Sequence, residues 1–283
     1  MKVTPLSSDS LGVRSMATLI ETSDCKILID PSAALGPYRY GLPPHEIEID
    51  TLYKTKERIS RIAETCDILV ISHYHYDHYD PEKDFYRDKK VYAKDITSNI
   101  NKSQLERGRE FKDRFKDKCE IIYCDDTRHM IGDTNIIFSP PFHHGPKDSS
   151  LGYILMTIVE EERKILHASD VQGPVTKDAT DYIIKQRPDL LIIDGPPTIF
   201  LGWKFSQKNL DEASDNMLRI IENLECDIIL DHHLLRDIKY KEHFPAPYKK
   251  GGGRVKTFAE YLGLKNNTLE AYRKELWAKN RHQ

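Results

Sequence analysis

The chain has 283 residues, of which 39% are hydrophobic and 31% are charged, a composition typical of a globular protein that builds its own core. No apolar run approaches the roughly 20 residues of a membrane-spanning helix, which argues against a membrane protein. The five cysteines include no C-x-x-C pair, which argues against a zinc–cysteine site and indicates free thiols. Residues 1–5 lack the features of a signal peptide, so we expect a cytoplasmic location.

The net charge of −3 is unevenly distributed along the chain. Residues 239–283 carry 11 Lys and Arg against 4 Asp and Glu, whereas the other 238 residues carry 31 against 41. A basic segment can bind nucleic acid, but such segments are more often solvated or neutralised within the molecule. We expect one domain over residues 1–283 with a basic, partly helical C-terminal segment at 239–283, and we do not favour a nucleic-acid partner.

The first quarter of the chain predicts a hairpin, a loop, a helix and a buried strand. Residues 13–22 and 25–30 are strand-like and are joined by a turn at Ser23-Asp24. Residues 32–50 contain two glycines and three prolines, which break regular structure; this loop either reaches over a functional site or forms a rigid surface connection. Helical spacing over residues 55–65 precedes a short apolar strand at 67–71.

Four side chains that can bind metal follow this strand within six residues: His73, His75, Asp77 and His78. In an extended backbone His73 and His75 point to the same side and can share one zinc-like ion. Asp77 and His78 follow where the chain turns and could hold a second ion. Asp80 and Pro81 then predict the start of a helix, so the ligands are expected on a strand-to-helix loop.

Residues 73–78 match the H-x-H-x-D-H motif of the metallo-β-lactamase superfamily without substitution. The runs SLGVRSMAT at 10–18 and ILDHHLLRD at 229–237 resemble a mainly archaeal branch of that superfamily. The resemblance covers essentially the whole chain. It implies an αββα sandwich and a metal-dependent hydrolase, and it does not supply a substrate.

Three further ligands are implied by this resemblance. One of His143 and His144, just before a strand that contains Leu-Gly-Tyr, completes the first metal site; we choose His144. Asp170, at the end of a strand at 163–170, is the carboxylate that bridges both ions. The last ligand follows a strand at 227–231, and we choose His232 over His233.

Other acidic and histidine residues near these strands have supporting roles in the prediction. Asp194, at the end of a strand at 189–194, is either a turn residue or an acceptor that orients a ligand histidine. Asp231 is adjacent to the last ligand and can support it. His143 is then expected near the site, and His167 is expected to be a packed histidine.

The remaining segments are predicted to form strands and helices that contribute no residues to the metal site. Strands are predicted at 89–93, 119–124 and 135–139, and helices at 97–118, 206–223, 257–263 and 268–279. The helix at 97–118 is expected to be an exposed insert without a chemical role. The triple glycine at 251–253 is either a flexible linker or a turn that wraps an anion.

These observations predict a hydrolase with two divalent metal ions. The first ion is expected at His73, His75 and His144, and the second at Asp77, His78 and His232, with Asp170 shared. The ions would generate hydroxide for attack on an ester, lactone or phosphodiester, and Asp77 is also the candidate proton acceptor. Zinc is the expected metal, with manganese and iron as alternatives.

Two other functions remain open from the sequence. The first is an RNA- or DNA-processing nuclease, because the placement of the histidines before Leu151-Gly152-Tyr153 resembles the tRNA 3′-processing branch and because the tail is basic. The expected substrate is otherwise a small molecule or a phosphodiester. The second is a non-catalytic metal-binding protein on the same fold, and the sequence does not predict the oligomeric state.

Overall fold

Fifteen strands and eight α-helices follow one another along residues 1–280, the part of the chain that the computed structural model describes. The strands are β1 (Lys2–Pro5), β2 (Thr18–Glu21), β3 (Lys26–Ile29), β4 (Ile68–Ile71), β5 (Lys90–Ala93), β6 (Glu120–Tyr123), β7 (Arg128–Ile131), β8 (Thr134–Phe138), β9 (Phe142–His143), β10 (Tyr153–Ile154), β11 (Thr157–Glu160), β12 (Lys164–Ala168), β13 (Leu190–Asp194), β14 (Asp227–Asp231) and β15 (Val255–Lys256). The α-helices are α1 (Glu46–Glu64), α2 (Lys102–Phe115), α3 (Lys177–Gln186), α4 (Gln207–Asn223), α5 (Tyr240–His243), α6 (Ala246–Gly251), α7 (Phe258–Tyr261) and α8 (Arg273–Asn280).

Two large sheets contain all strands except β9 and β10, which pair with each other. The first sheet has the order β1-β2-β3-β4-β5-β6, and the second has the order β15-β14-β13-β12-β11-β8-β7. Strands β3 to β6 are parallel, as are β12 to β15. The predicted hairpin is confirmed, since β2 and β3 pair antiparallel with Glu21 opposite Lys26.

Alternation along the strands places the two sheets between two layers of helices. In β4, Ile68 and Val70 belong to a core shared with strands of the second sheet. Leu69 and Ile71 point the other way and pack with residues of α1 and α2, as a side-chain period of two requires. The second sheet packs its outer face against α3 and α4 in the same manner. This is the predicted αββα sandwich.

The candidate ligands follow the carboxyl ends of parallel strands and therefore lie at one end of the sandwich. Residues 73–78 follow β4, Asp170 follows β12, and His232 follows β14. Because parallel neighbours end at the same edge of a sheet, the side chains that follow these strands are brought together. No helix within residues 1–280 is long and apolar enough to cross a bilayer.

Two local predictions about the segments around the motif were wrong. No helix begins at Asp80-Pro81: the Asp80 carboxylate accepts from the backbone N–H of Glu82 at 3.0 Å, and turns lead directly to β5. Helix α1 begins at Glu46, inside the predicted loop, because His45 and Glu48 form a capping box there. Histidine is not among the usual N-cap residues, so no recognisable start signal precedes this helix.

The C-terminal segment packs back onto the loop at 32–45. The Glu270 carboxylate accepts hydrogen bonds from Arg14 and Arg39, and Arg273 donates to the carbonyl oxygen of Leu42 at 3.2 Å. Residues 251–254 form the end of α6 and a 3₁₀ turn rather than an irregular linker. These contacts hold the loop at 32–45 against the C-terminal segment, and its Pro37 lines the cavity described below.

Candidate metal centre

His73, His75, His144 and Asp170 form the first cluster of potential ligands, with one donor atom from each lying within 4.8 Å of the others. The Asp170 Oδ2 atom lies 2.8 Å from His144 Nε2 and 3.3 Å from His73 Nε2. His73 Nε2 also lies 3.1 Å from His75 Nδ1. The structure thus brings together the four side chains predicted for the first ion and its bridge.

Asp77, His78 and His232 form the second cluster. The other oxygen of Asp170, Oδ1, lies 3.4 Å from the Nε2 atoms of both His78 and His232. Asp77 faces the same two imidazoles at 3.8 Å and 3.7 Å. One oxygen of Asp170 therefore faces each cluster, which is the arrangement that a bridging carboxylate needs.

The spacing of these donor atoms fits divalent metal ions. Two ligands that each lie about 2.0–2.2 Å from a tetrahedral zinc ion are about 3.3–3.5 Å apart, and the donor distances from Asp170 span 2.8–3.4 Å. The buried Nε2 atom of His78 makes no hydrogen bond of normal geometry within the described residues, and Asp170 Oδ1 lies 3.4 Å from it. A buried nitrogen without a well-formed hydrogen bond can be satisfied by a bound ion.

In the first cluster, the surroundings of the histidines favour the neutral imidazole, which is the form that binds a metal ion. Burial, together with the nearby His78, lowers the pKa of His73 to about 4. Burial, followed by the charge of His73, holds the pKa of His75 well below its usual value. Both rings are therefore neutral at pH 7, as metal ligation requires.

The second cluster attracts positive charge. Burial alone would lower the pKa of His78, but Asp170 and Asp77 raise it well above the usual value. The same pairing opposes the effect of burial on Asp170 and holds its pKa well below the usual value. Two buried carboxylates at this point call for a cation, and a divalent ion would replace the proton on His78.

Two acidic residues far away in sequence orient the ligand histidines. Asp30 lies 2.9 Å from Nδ1 of His78 and accepts from the backbone and hydroxyl of Ser72. Asp9 lies 2.8 Å from Nδ1 of His232 and accepts from Arg236 at 3.0 Å. Such carboxylate partners fix the ring orientation of ligand histidines. Sequence reasoning did not single out Asp9 or Asp30, since nothing local marks them as partners.

The alternatives at the two histidine pairs occupy different environments. His143 is half-buried on β9, and its ring lies 4.5 Å from that of Tyr153, away from the clusters that contain His144. His233 lies close to Asp170 and His232 in a third group of potential ligands, and its Nδ1 lies 2.8 Å from Asp194. Asp194 thus orients a histidine at the site, but the histidine is His233.

The remaining predicted neighbours pack beside the site. Asp231 supports the turn after β14 through the backbone, accepting from the N–H groups of Ser10, His232 and Phe258. His167 is buried with its Nε2 2.9 Å from the carbonyl oxygen of Met16, in agreement with a packed histidine.

The adjacent pair His143 and His144 offers a matched test of the first cluster. Replacing His144 by alanine is expected to remove the metal from that cluster and to lower hydrolytic kcat/KM by about a hundredfold or more. The same change at His143 removes a ring contact with Tyr153 and should leave metal content near that of the parent. Metal analysis of both variants checks this, and the reverse pattern would assign the ligand to His143.

A cavity of about 1800 Å³ is lined by members of both clusters, among them His75, Asp77 and Asp170. Helix α2 contributes Arg107 to its wall, and the turn that precedes α4 contributes Trp203 and Lys204. The sequence did not predict that a side chain of the helix at 97–118 would line this cavity. The aromatic residues Phe111 and Phe115 of α2 are core contacts.

Comparison with known proteins agrees with this geometry. Residues 13–233 match the family model described as a β-lactamase superfamily domain. A UPF0282 protein of Methanocaldococcus jannaschii is 45% identical over 98% of this chain and 96% of its own length. The chain belongs to the UPF0282 family. A second UPF0282 protein, from Methanopyrus kandleri, is 44% identical over 98% of this chain and 99% of its own.

A solved structure described as a possible metal-dependent hydrolase from Veillonella parvula superposes on this UPF0282 chain with a TM-score of 0.53 and 13% sequence identity, covering 87% of this chain and 94% of its own. At this identity the likeness shows the fold alone. The predicted family and the sandwich fold are confirmed. The match to the β-lactamase superfamily model supports the predicted hydrolase class.

Proposed function

We propose that this UPF0282 protein is a cytoplasmic phosphodiester hydrolase that binds two divalent metal ions, preferably zinc. The single observation that carries the proposal is the position of Asp170, whose two oxygens face two separate clusters of ligands. Imidazole and carboxylate donors suit zinc, with manganese or iron as alternatives. The five unpaired cysteines agree with a reducing cytoplasm.

Two ions in these clusters would lower the pKa of a bound water and polarise the oxygen of a substrate. The Asp77 side chain is largely buried, with 18% exposed at the cavity, and it is the candidate proton acceptor during turnover. The buried Arg236 has its Nη2 atom 3.7 Å from Asp77 Oδ2. It places a fixed positive charge beside the second cluster, where it can stabilise a substrate anion.

The charge of the cavity favours a phosphodiester over a neutral ester or lactone. Eight Lys and Arg side chains line it against five Asp and Glu. Five of the eight are ion-paired, such as Arg14 with Glu270 and Arg236 with Asp9, whereas the other three have no ion-pair partner within residues 1–280: Arg107, Lys177 and Lys204. This cationic wall contrasts with the net charge of −3 on the whole chain. Local positive charge raises the concentration of anionic substrates and supports their binding.

The basic C-terminal segment gives little support to a nuclease with a long nucleic-acid track. Arg254 donates to the carbonyl oxygens of Ile221, Leu224 and Cys226 near the end of α4. Lys250 lies 2.9 Å from Glu222. These contacts engage two of the cations that would otherwise be free to bind phosphates, so a phosphodiester of limited size remains the favoured substrate.

Elemental analysis of the purified protein, combined with a hydrolysis screen, tests the proposal. We expect about two zinc ions per chain and metal-dependent hydrolysis of bis(p-nitrophenyl) phosphate, with weaker action on p-nitrophenyl acetate and a simple lactone. Two irons would favour redox chemistry instead. Bound metal without turnover in either panel would favour a non-catalytic metal-binding protein.

A further inference from the structure

We propose that the substrate is a nucleotidyl phosphodiester whose base stacks on Trp203 in the wall of the metal-centre cavity. The inference rests on the proposed function and specifies its substrate class. It comes from two aromatic side chains, each accompanied by a cation, that line the same cavity as the metal clusters. Neither a simple lactone nor a small ester requires this combination.

Trp203 is an exposed aromatic residue on an ordered turn. Its side chain is 73% exposed, and yet the turn is fixed by backbone hydrogen bonds from Trp203 and Lys204 to the carbonyl oxygen of Phe200 at 3.0 Å and 3.1 Å. A third bond, from Gly202 to Phe205, closes the turn at 2.9 Å. A turn whose backbone is held in this way presents the indole to the cavity as a flat apolar surface.

Cations lie next to both aromatic rings. Lys204 Nζ is 4.5 Å from the centroid of the Trp203 ring. Tyr76, which stands between the candidate ligands His75 and Asp77, has the guanidinium of Arg107 at 4.5 Å from its ring centroid. A nucleotide presents a π face and a negative phosphate within a few ångströms of each other, and aromatic–cation pairs of this kind bind both groups.

The size of the cavity agrees with an extended ligand. Its volume of about 1800 Å³ exceeds the roughly 300–1,000 Å³ of sites for drug-sized molecules. A phosphodiester at the metal clusters would leave room for the groups on both sides of the phosphorus. Trp203 and Tyr76 both line this cavity, and stacking selects a base without reading its edges.

Tryptophan fluorescence of the metal-loaded protein tests the inference directly, because the chain has two tryptophans. Trp277 lies on α8 and donates to the carbonyl oxygen of Pro43, so the Trp277→Phe variant leaves Trp203 as the reporter. Binding of adenosine 5′-monophosphate is compared with that of ribose 5-phosphate, which has the same phosphate and no base. Single-stranded tetra-adenylate provides a third ligand.

In the parent and in Trp277→Phe we expect adenosine monophosphate to quench fluorescence and to bind about fivefold to a hundredfold more tightly than ribose 5-phosphate. In Trp203→Leu, followed by calorimetry, this preference should fall to about threefold or less while metal content is retained. Similar affinities for the mononucleotide and the tetranucleotide would indicate that the natural ligand is a free nucleotide. Tetra-adenylate binding that is tighter and salt-dependent assigns the unit to a single strand, which equally supports the inference.

Equal affinities for the two monophosphates in the parent, or a base preference that survives Trp203→Leu, would overturn the inference. Failure of the proposed function is recognised separately, by metal analysis and by hydrolysis of bis(p-nitrophenyl) phosphate with the parent protein. A base preference in a protein that holds no metal would contradict the hydrolase and leave a nucleotide-binding site. Two metals and turnover without a base preference would contradict only the role of Trp203.

Discussion

Replacing Asp170 by asparagine is expected to reduce bound metal from about two ions per chain to one or none and to lower kcat/KM by about a thousandfold or more. Asparagine keeps the shape of the side chain but removes the negative charge that faces both clusters. Outer partners of ligands alone contribute about 10–100-fold to affinity or activity, so loss of a shared ligand should cost more. Elemental analysis and hydrolysis of bis(p-nitrophenyl) phosphate measure both effects.

Asparagine is the appropriate replacement because Asp170 has a φ of +60°. Asn and Asp adopt this left-handed conformation more readily than alanine does, so backbone strain is not confused with loss of the ligand. Asp117 is an exposed aspartate after α2, and Asp117→Asn serves as the matched control with parental metal content. Two metals and parental turnover in Asp170→Asn would show that Asp170 does not bridge the ions.

The metal cluster could be anticipated from the sequence mainly because its signals are local. His73, His75, Asp77 and His78 lie on one short segment after a buried strand, where spacing alone indicates metal ligands. Asp170 and His232 each follow an apolar strand, but they become recognisable only through the resemblance to a family. In the structure all six lie in the two clusters that Asp170 joins.

The partners that hold these ligands could not be anticipated, since the contacts join distant parts of the chain. Asp9 reaches His232 across 223 positions, and Asp30 reaches His78 across 48. Loop closures of this kind are set by tertiary packing rather than by residue pattern. The helix predicted at Asp80 is absent for a local reason. Asp80 forms an Asx turn, which is an alternative to an N-cap for the same residue type.

The residues of the cavity wall illustrate a further limit. Arg107 lies on a highly charged helix, so the sequence alone suggests a solvent-exposed side chain. Only the structure shows its contact with the ring of Tyr76. Trp203 carries no pattern that separates it from a core tryptophan. Exposure on a fixed turn distinguishes it, and exposure depends on how the turn packs against the rest of the fold.

Replacing Glu270 by glutamine is expected to lower the free energy of unfolding by about 3–5 kcal/mol, the range for breaking a buried ion pair on one side. The Glu270 carboxylate accepts from Arg14 at 2.6 Å and from Arg39 at 3.0 Å. Glutamine retains the volume but leaves both guanidinium groups without their counterion. Chemical denaturation at pH 7 measures the change, and Glu275→Gln, an exposed change on α8, is the control.

The effect of Glu270 on stability should also depend on pH with a defined sign. Burial alone would raise the pKa of Glu270, but Arg14 and then Arg236 and Arg39 hold it far below the usual value of 4.5. A carboxyl whose pKa is depressed on folding stabilises the native state above its unfolded-state pKa, and this contribution is lost as the pH falls. The gap in stability between parent and Glu270→Gln should therefore be full at pH 7 and should narrow below about pH 4.5. A stability gap that stays constant down to pH 3 would mean that the variant acts through packing of the 32–45 loop rather than through the charge of Glu270.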